Sequence, residues 1–148
     1  KASSKTNSSV EDAIKKGWEI LTVGNPIVDC FFEPTVIGGA STEMKFSKEE
    51  IFGPVVPLYK FSSDEEAVKM ANDTIYGLAS YFYSKNISRC WKVAEELEYG
   101  MVGINEGLIS SEVAPFGGVK FSGQGREGSK YGIEDYIEIK YMCFGNIK

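Results

Sequence analysis

Apolar and polar positions along this chain of 148 residues alternate with two different periods, and the switches between them mark out its elements. Val10 to Lys16 carries Val10, Ala13 and Ile14 on one helical face, and Gly17 supplies a C-terminal stop. The polar, Ser-rich residues 1–9 before it offer little to bury and read as a flexible lead-in. Glu19 to Val23 alternates as a short strand, which Gly24-Asn25-Pro26 breaks. Phe31 to Ile37 forms another extended segment, confined by Pro34 to an edge or a bend.

From residue 55 the pattern sharpens. Val55 to Phe61 predicts a strand. Ser62 and Ser63 ahead of Asp64-Glu65-Glu66 make a capping box, in which a hydroxyl and a carboxylate satisfy orphan helix amides. The helix then runs to about Asn72 with Ala67, Met70 and Ala71 turned inward. Leu78 to Ser84 is a second strand. Asn86 caps a further helix, with Ile87, Cys90, Trp91, Ala94 and Leu97 at helical spacing, and Gly100 ends it. Met101 to Asn105 is a third strand. Strand, helix, strand, helix, strand predicts an α/β fold with a parallel-rich sheet and crossover helices. Loops at the carboxyl ends of such strands carry function, so residues 106–120 are the favoured site. Residues 123–132 are glycine-rich, and Ile133 to Phe144 alternates as a long final strand.

Composition narrows the function classes. With 43% hydrophobic and 25% charged residues the chain is an ordinary globular protein. A net charge of −5 offers no basic face for nucleic acid. No apolar run approaches the roughly 18 residues of a membrane span. Cys30, Cys90 and Cys143 are odd in number and share no short spacing, which favours free thiols in a reducing, cytoplasmic-type compartment. Histidine is absent, so Ser-His and Cys-His pairs and imidazole metal sites are excluded and no metal site is expected.

Most short motifs have plain explanations. Gly123-Gln124-Gly125-Arg126-Glu127-Gly128 spells G-x-G-x-x-G, but no room follows for the βαβ unit of a nucleotide fingerprint, so it reads as a structural turn. Arg126 and Glu127 read as a structural charge pair. Adjacent carboxylates on a helix point apart, so Glu65-Glu66 is capping and Glu95-Glu96 is solvated surface. Asn105 reads as a turn former and Cys90 as core. Nothing marks Cys143 as activated. Glu50 differs, because it precedes Phe52-Gly53-Pro54, a bend able to project a carboxylate and a ring together.

Taken in order, Glu49-Glu50-Ile51-Phe52-Gly53-Pro54, Pro115-Phe116-Gly117-Gly118 and Ser122-Gly123-Gln124-Gly125-Arg126-Glu127 resemble the C-terminal part of the aldehyde dehydrogenase superfamily. The runs Glu106-Gly107-Leu108-Ile109-Ser110-Ser111 and Gly125-Arg126-Glu127-Gly128-Ser129-Lys130-Tyr131-Gly132 most resemble its succinate-semialdehyde dehydrogenase family. That family oxidises a four-carbon aldehyde acid to succinate with NAD or NADP, using a cysteine nucleophile and a glutamate base. The resemblance implies that Glu50 binds the nicotinamide ribose hydroxyls and that Phe52 packs on the ribose or the nicotinamide ring. It further implies that Ser110 donates to the substrate's far carboxylate, with arginines from upstream assisting, and that Phe116 lines the apolar aldehyde tunnel.

Residues 10–134 then correspond to a partial catalytic domain, and 135–148 to an oligomerisation strand in which Ile137 to Phe144 extends a neighbouring subunit's sheet. None of the three cysteines sits in a Gly-Gln-x-Cys nucleophile context. The chain alone is therefore expected to be inactive, with no catalytic residue of its own and no bound cofactor, in a protein of the cytoplasm or the mitochondrion. The rival expectations are a truncated, non-catalytic module that pairs with full-length relatives, and a relative acting on another aldehyde.

Overall fold

The computed structural model describes residues 2–22, 26–28 and 31–147. The chain divides into two compact units, residues 1–74 and 75–148. In the first unit α1 spans Ala2–Lys15, so residues 2–9, read from sequence as a lead-in, are helical. The reason is tertiary. Thr6, Val10 and Ala13, at i, i+4 and i+7, are all buried, and this stripe outweighs the weak propensities of Ser and Asn. Ile14, expected on the same face, is exposed. The helix ends in a Schellman turn: Gly17, at φ 77°, donates to Ile14 O at 3.0 Å, and Trp18 N donates to Ala13 O at 3.1 Å.

Strand β1 (Glu19–Thr22) runs antiparallel to β4 (Thr35–Gly38), and β4 runs parallel to β5 (Val55–Pro57). Between them β2 (Pro26–Val28) and β3 (Phe31–Phe32) pair as a separate antiparallel ribbon. Pro34 breaks the segment expected as one strand into β3 and β4, as its missing amide requires. Gly24 and Asn25, part of the expected breaker, and Cys30 lie outside the described residues. Val10, Ala13, Ile37, Met44, Phe46 and Val55 form the buried apolar cluster, with Trp18, Ile20, Phe32, Ala40 and Ile51 packed around it.

Gly53 leads into β5 where α1 passes close by. A Cβ there would stand 2.5 Å from Thr6 Oγ1 and 3.0 Å from its Cγ2. Thr6 is itself buried and stiff at χ1, so it yields only in part. Gly53→Ala is expected to destabilise the first unit by about 1–2 kcal/mol, read as a lowered thermal midpoint. Adding Thr6→Ala should recover part of the loss; strict additivity of the two would reject the contact as the cause.

Helix α2 (Asp64–Asn72) starts where the capping box places it. Ser63 Oγ accepts from Glu66 N at 3.2 Å, and Glu66 Oε2 accepts from Ser62 N at 2.7 Å. Its buried residue is Val68, while Ala67, Met70 and Ala71 are half-buried.

In the second unit β6 (Ala79–Phe82), α3 (Ile87–Glu96) and β7 (Met101–Ile104) form a parallel crossover, with Ala79 opposite Met101 and Phe82 opposite Ile104. The expected α/β architecture with parallel pairing is therefore present, although β5 takes its parallel partner from β4. Asn86 caps α3, its Oδ1 accepting from Arg89 N at 3.0 Å. Of the stripe expected on α3, Cys90 is buried, whereas Ile87 and Trp91 are 78% and 69% exposed.

The alternating run after Ile133 forms no strand. A short 3-10 turn covers Glu134–Tyr136, and residues 137–147 make no ladder. Ile139 is 96% exposed and Tyr141 86%. A strand needs a neighbour for its amides, and among the described residues this chain offers it none.

Candidate functional site

The first unit carries Glu50 and Phe52. Ahead of them the 3-10 turn Lys45–Ser47 is anchored by the buried side chains of Met44 and Phe46. The Ser47 hydroxyl lies 2.6 Å from Thr42 O and 2.7 Å from Met44 O. Lys48 Nζ pairs with Asp73 Oδ2 at 2.7 Å. Beyond this anchor Glu50 is exposed, Ile51 half-buried and Phe52 exposed. Ile51 packs against the core cluster, while Glu50 and Phe52 on either side of it face solvent. The far end is pinned by Val55 N donating to Gly53 O at 2.9 Å and by Thr35 N donating to Pro54 O at 2.8 Å. The bend thus carries an exposed carboxylate and an exposed ring two residues apart, next to a segment pinned at both ends.

A cleft of about 320 Å³ in the same unit is lined by Lys16, Trp18, Ser41, Glu43 and Met44, and neither Glu50 nor Phe52 borders it. Trp18 Nε1 has no hydrogen-bond partner among the described residues.

The second unit carries Ser110 and Phe116 on the loop that follows β7. Asn105 N donates to Phe82 O at 2.9 Å, and Asn105 adopts a left-handed backbone with φ 56°. Glu106 Oε1 accepts from Gly107 N at 2.9 Å and from Leu108 N at 3.1 Å. Ser110 lies exposed beyond this turn. Phe116 is half-buried, and its backbone pairs with Glu127, N to O at 2.9 Å and O to N at 2.7 Å. The loop is also fastened where Ser129 N donates to Glu112 O at 2.9 Å.

Glycines make this fastening possible. Gly77 is buried; its carbonyl accepts from Gly100 N at 3.0 Å and from Val119 N at 2.9 Å, and its amide donates to Ser122 Oγ at 2.9 Å. Gly123, Gly125 and Gly128 all have positive φ, so the G-x-G-x-x-G letters encode a turn, as the spacing implies. Arg126 corrects its expected role. Its guanidinium reaches Gly118 O at 2.8 Å and Gly125 O at 2.6 Å and tethers backbone, rather than pairing with the Glu127 carboxylate. Lys120 pairs with Glu98 at 2.6 Å. Burial pushes the Tyr99 phenol pKa up, with Lys120 opposing and Glu98 adding to the rise.

Cys90 is buried, and its thiol lies 3.5 Å from Ser84 O. Cys143 is exposed, and both are free. Among the described residues no group of three His, Cys, Asp or Glu side chains could hold a metal, and no helix is long and apolar enough to cross a membrane.

The family model for aldehyde dehydrogenases matches residues 1–142. This chain belongs to the aldehyde dehydrogenase family. It is 54% identical over 99% of its length to a succinate semialdehyde dehydrogenase of Acinetobacter baylyi. To a glutarate-semialdehyde dehydrogenase of Pseudomonas putida it is 57% identical over 97% of its length. A crystal structure of succinate-semialdehyde dehydrogenase from Burkholderia pseudomallei superposes with a TM-score of 0.90 at 57% identity, covering 97% of this chain and 30% of that one. The chain spans 31% and 30% of the length of the two relatives. The likeness of fold and sequence therefore concerns under a third of such an enzyme.

Proposed function

We propose that this aldehyde dehydrogenase chain is the part of a longer NAD- or NADP-dependent enzyme that supplies one cofactor contact and one wall of the substrate pocket. The substrate in this reading is succinate semialdehyde, which the intact enzyme oxidises to succinate. The observation that carries it is Ser110, exposed on the loop that leaves the carboxyl end of a parallel strand. A hydroxyl there can donate to a carboxylate at the far end of an aldehyde acid, and Phe116 adds apolar surface along the aliphatic part.

Glu50 and Phe52 fit a nicotinamide cofactor. Both are exposed and two residues apart, and in this reading the carboxylate accepts from both ribose hydroxyls while the ring covers the sugar or the nicotinamide. The bound nicotinamide would serve as hydride acceptor; the contribution of these two residues is to hold and orient it. The free thiols accord with a reducing compartment, cytoplasmic or mitochondrial. The exposed run 137–144 suits addition to a neighbouring subunit's sheet in a homo-oligomer. The same run would let a shorter, non-catalytic form pair with full-length relatives. A further reading, a semialdehyde acid one carbon longer, rests on the similarity to the Pseudomonas putida relative.

The test is kinetic. In the complete enzyme, Ser110→Ala should cost about 1–2 kcal/mol in kcat/KM for succinate semialdehyde, the loss of one hydrogen bond to a charged group. The loss should be clearly smaller for an uncharged aldehyde of equal length. Equal losses would reject the role. The purified 148-residue chain, assayed beside it, should reduce no cofactor, since no Gly-Gln-x-Cys segment is present to attack the aldehyde.

A further inference from the structure

Asn105 does more than turn the chain. Its left-handed backbone follows the last residue of β7, and its side chain reaches across to the end of β6. There Oδ1 accepts from Ser84 N at 2.8 Å and Nδ2 donates to Ser84 O at 2.8 Å. One carboxamide thus satisfies both backbone groups of one residue, and it prolongs the β6–β7 ladder by a step that no strand residue provides.

Ser84 is a fixed point in its own right. Its Oγ accepts from Asn86 N at 3.2 Å, Asn86 caps α3, and the Cys90 thiol lies against the same carbonyl. The root of the loop is therefore bound to strand and helix together, five residues before Ser110. Only an uncharged amide can serve this clamp. Aspartate lacks the donor and would set a carboxylate oxygen against the Ser84 carbonyl, and glycine keeps the backbone angle but loses both bonds.

We propose that Asn105 is a positioning residue for substrate selectivity: its clamp on Ser84 sets the path of the loop and so fixes the Ser110 hydroxyl where the substrate's far carboxylate lies. The inference rests on the reading of Ser110 given above. It makes the selectivity for an anionic tail depend on a residue that never touches substrate.

The experiment is a double-mutant cycle in the complete enzyme with Asn105→Gly, Ser110→Ala and both together. Each is assayed on succinate semialdehyde and on an uncharged aldehyde of equal length. Asn105→Gly should raise KM for the semialdehyde acid about fivefold, the scale of one misplaced hydrogen bond, with kcat changed much less and with a smaller rise for the uncharged aldehyde. The double variant should lose no more selectivity than Ser110→Ala alone. Asn105→Asp, which tolerates the left-handed backbone and keeps an acceptor for Ser84 N, should behave alike and serves if the glycine variant folds poorly.

Equal losses on both aldehydes, or selectivity losses that add in the double variant, would overturn the proposal while leaving Ser110 its role. A Ser110→Ala variant with unaltered selectivity would instead remove the reading of Ser110, and the positioning role with it.

Discussion

Gly100→Ala is expected to lower the stability of the second unit by about 3 kcal/mol, the upper range for inserting a methyl group into a packed site. A Cβ at Gly100 would run into the carbonyl oxygen of Gly117 and stand 2.9 Å from Gly117 C and from Gly118 Cα. All three are backbone atoms, which cannot rotate away as a side-chain tip would. Nor can that backbone retreat freely. Val119 N is bound to Gly77 O at 2.9 Å, the Arg126 guanidinium holds Gly118 O at 2.8 Å, and the space beside Gly118 is filled by Ser122. Gly100 has no positive φ, so the cost is purely steric. Gly145→Ala is the matched control, since nothing lies within 4 Å of its Cβ direction. Denaturant midpoints read the difference, and coincident midpoints for the two variants would refute the close approach.

Arg126→Met should cost about 2–3 kcal/mol, because it keeps the aliphatic stem and removes a charged donor from two carbonyls. The guanidinium reaches Gly118 O and Gly125 O from a half-buried position. Water can replace it only by entering the turn. The first amides to lose protection from hydrogen exchange should be those of Phe116 and Glu127, whose mutual pairing closes the same turn. Added salt should alter this cost little, since the acceptors carry no net charge. By contrast, the Lys120–Glu98 pair, with Glu98 58% exposed, should weaken as ionic strength rises. Unchanged exchange at both amides would place the stabilising role of Arg126 elsewhere.

Local grammar was the legible part of this fold. The Ser63 cap, the Asn86 cap and the Gly17 stop each depend on residues three to five apart, and each forms as the letters imply. The parallel pair flanking α3 followed from the change of period at Asn86 and Gly100. What stayed hidden depends on distant partners. Residues 2–9 are helical because Thr6 and Val10 are buried in the first unit, which no window of nine residues reveals. Residues 137–144 alternate like a strand, yet alternation does not supply a neighbour.

The candidate site divides in the same way. Spacing singled out Glu50 alone, and the roles of Phe52, Ser110 and Phe116 came through resemblance, since a lone ring or hydroxyl has no spacing to betray it. Asn105 and Arg126 were read too simply for a related reason: their acceptors are main-chain carbonyls, which leave no letter in a sequence.

The two units are held by different materials. The clustered aliphatic and aromatic side chains all belong to residues 1–74, whereas the buried positions described in residues 75–148 are Gly77, Cys90, Gly103 and Gly118. Hydrating peptide groups lowers heat capacity, and hydrating hydrocarbon raises it. Half-buried side chains such as Phe82, Met101, Val102 and Val119 still contribute in the second unit, so its melting is expected to carry a smaller heat-capacity increment per residue, and a flatter stability curve, than melting of the first.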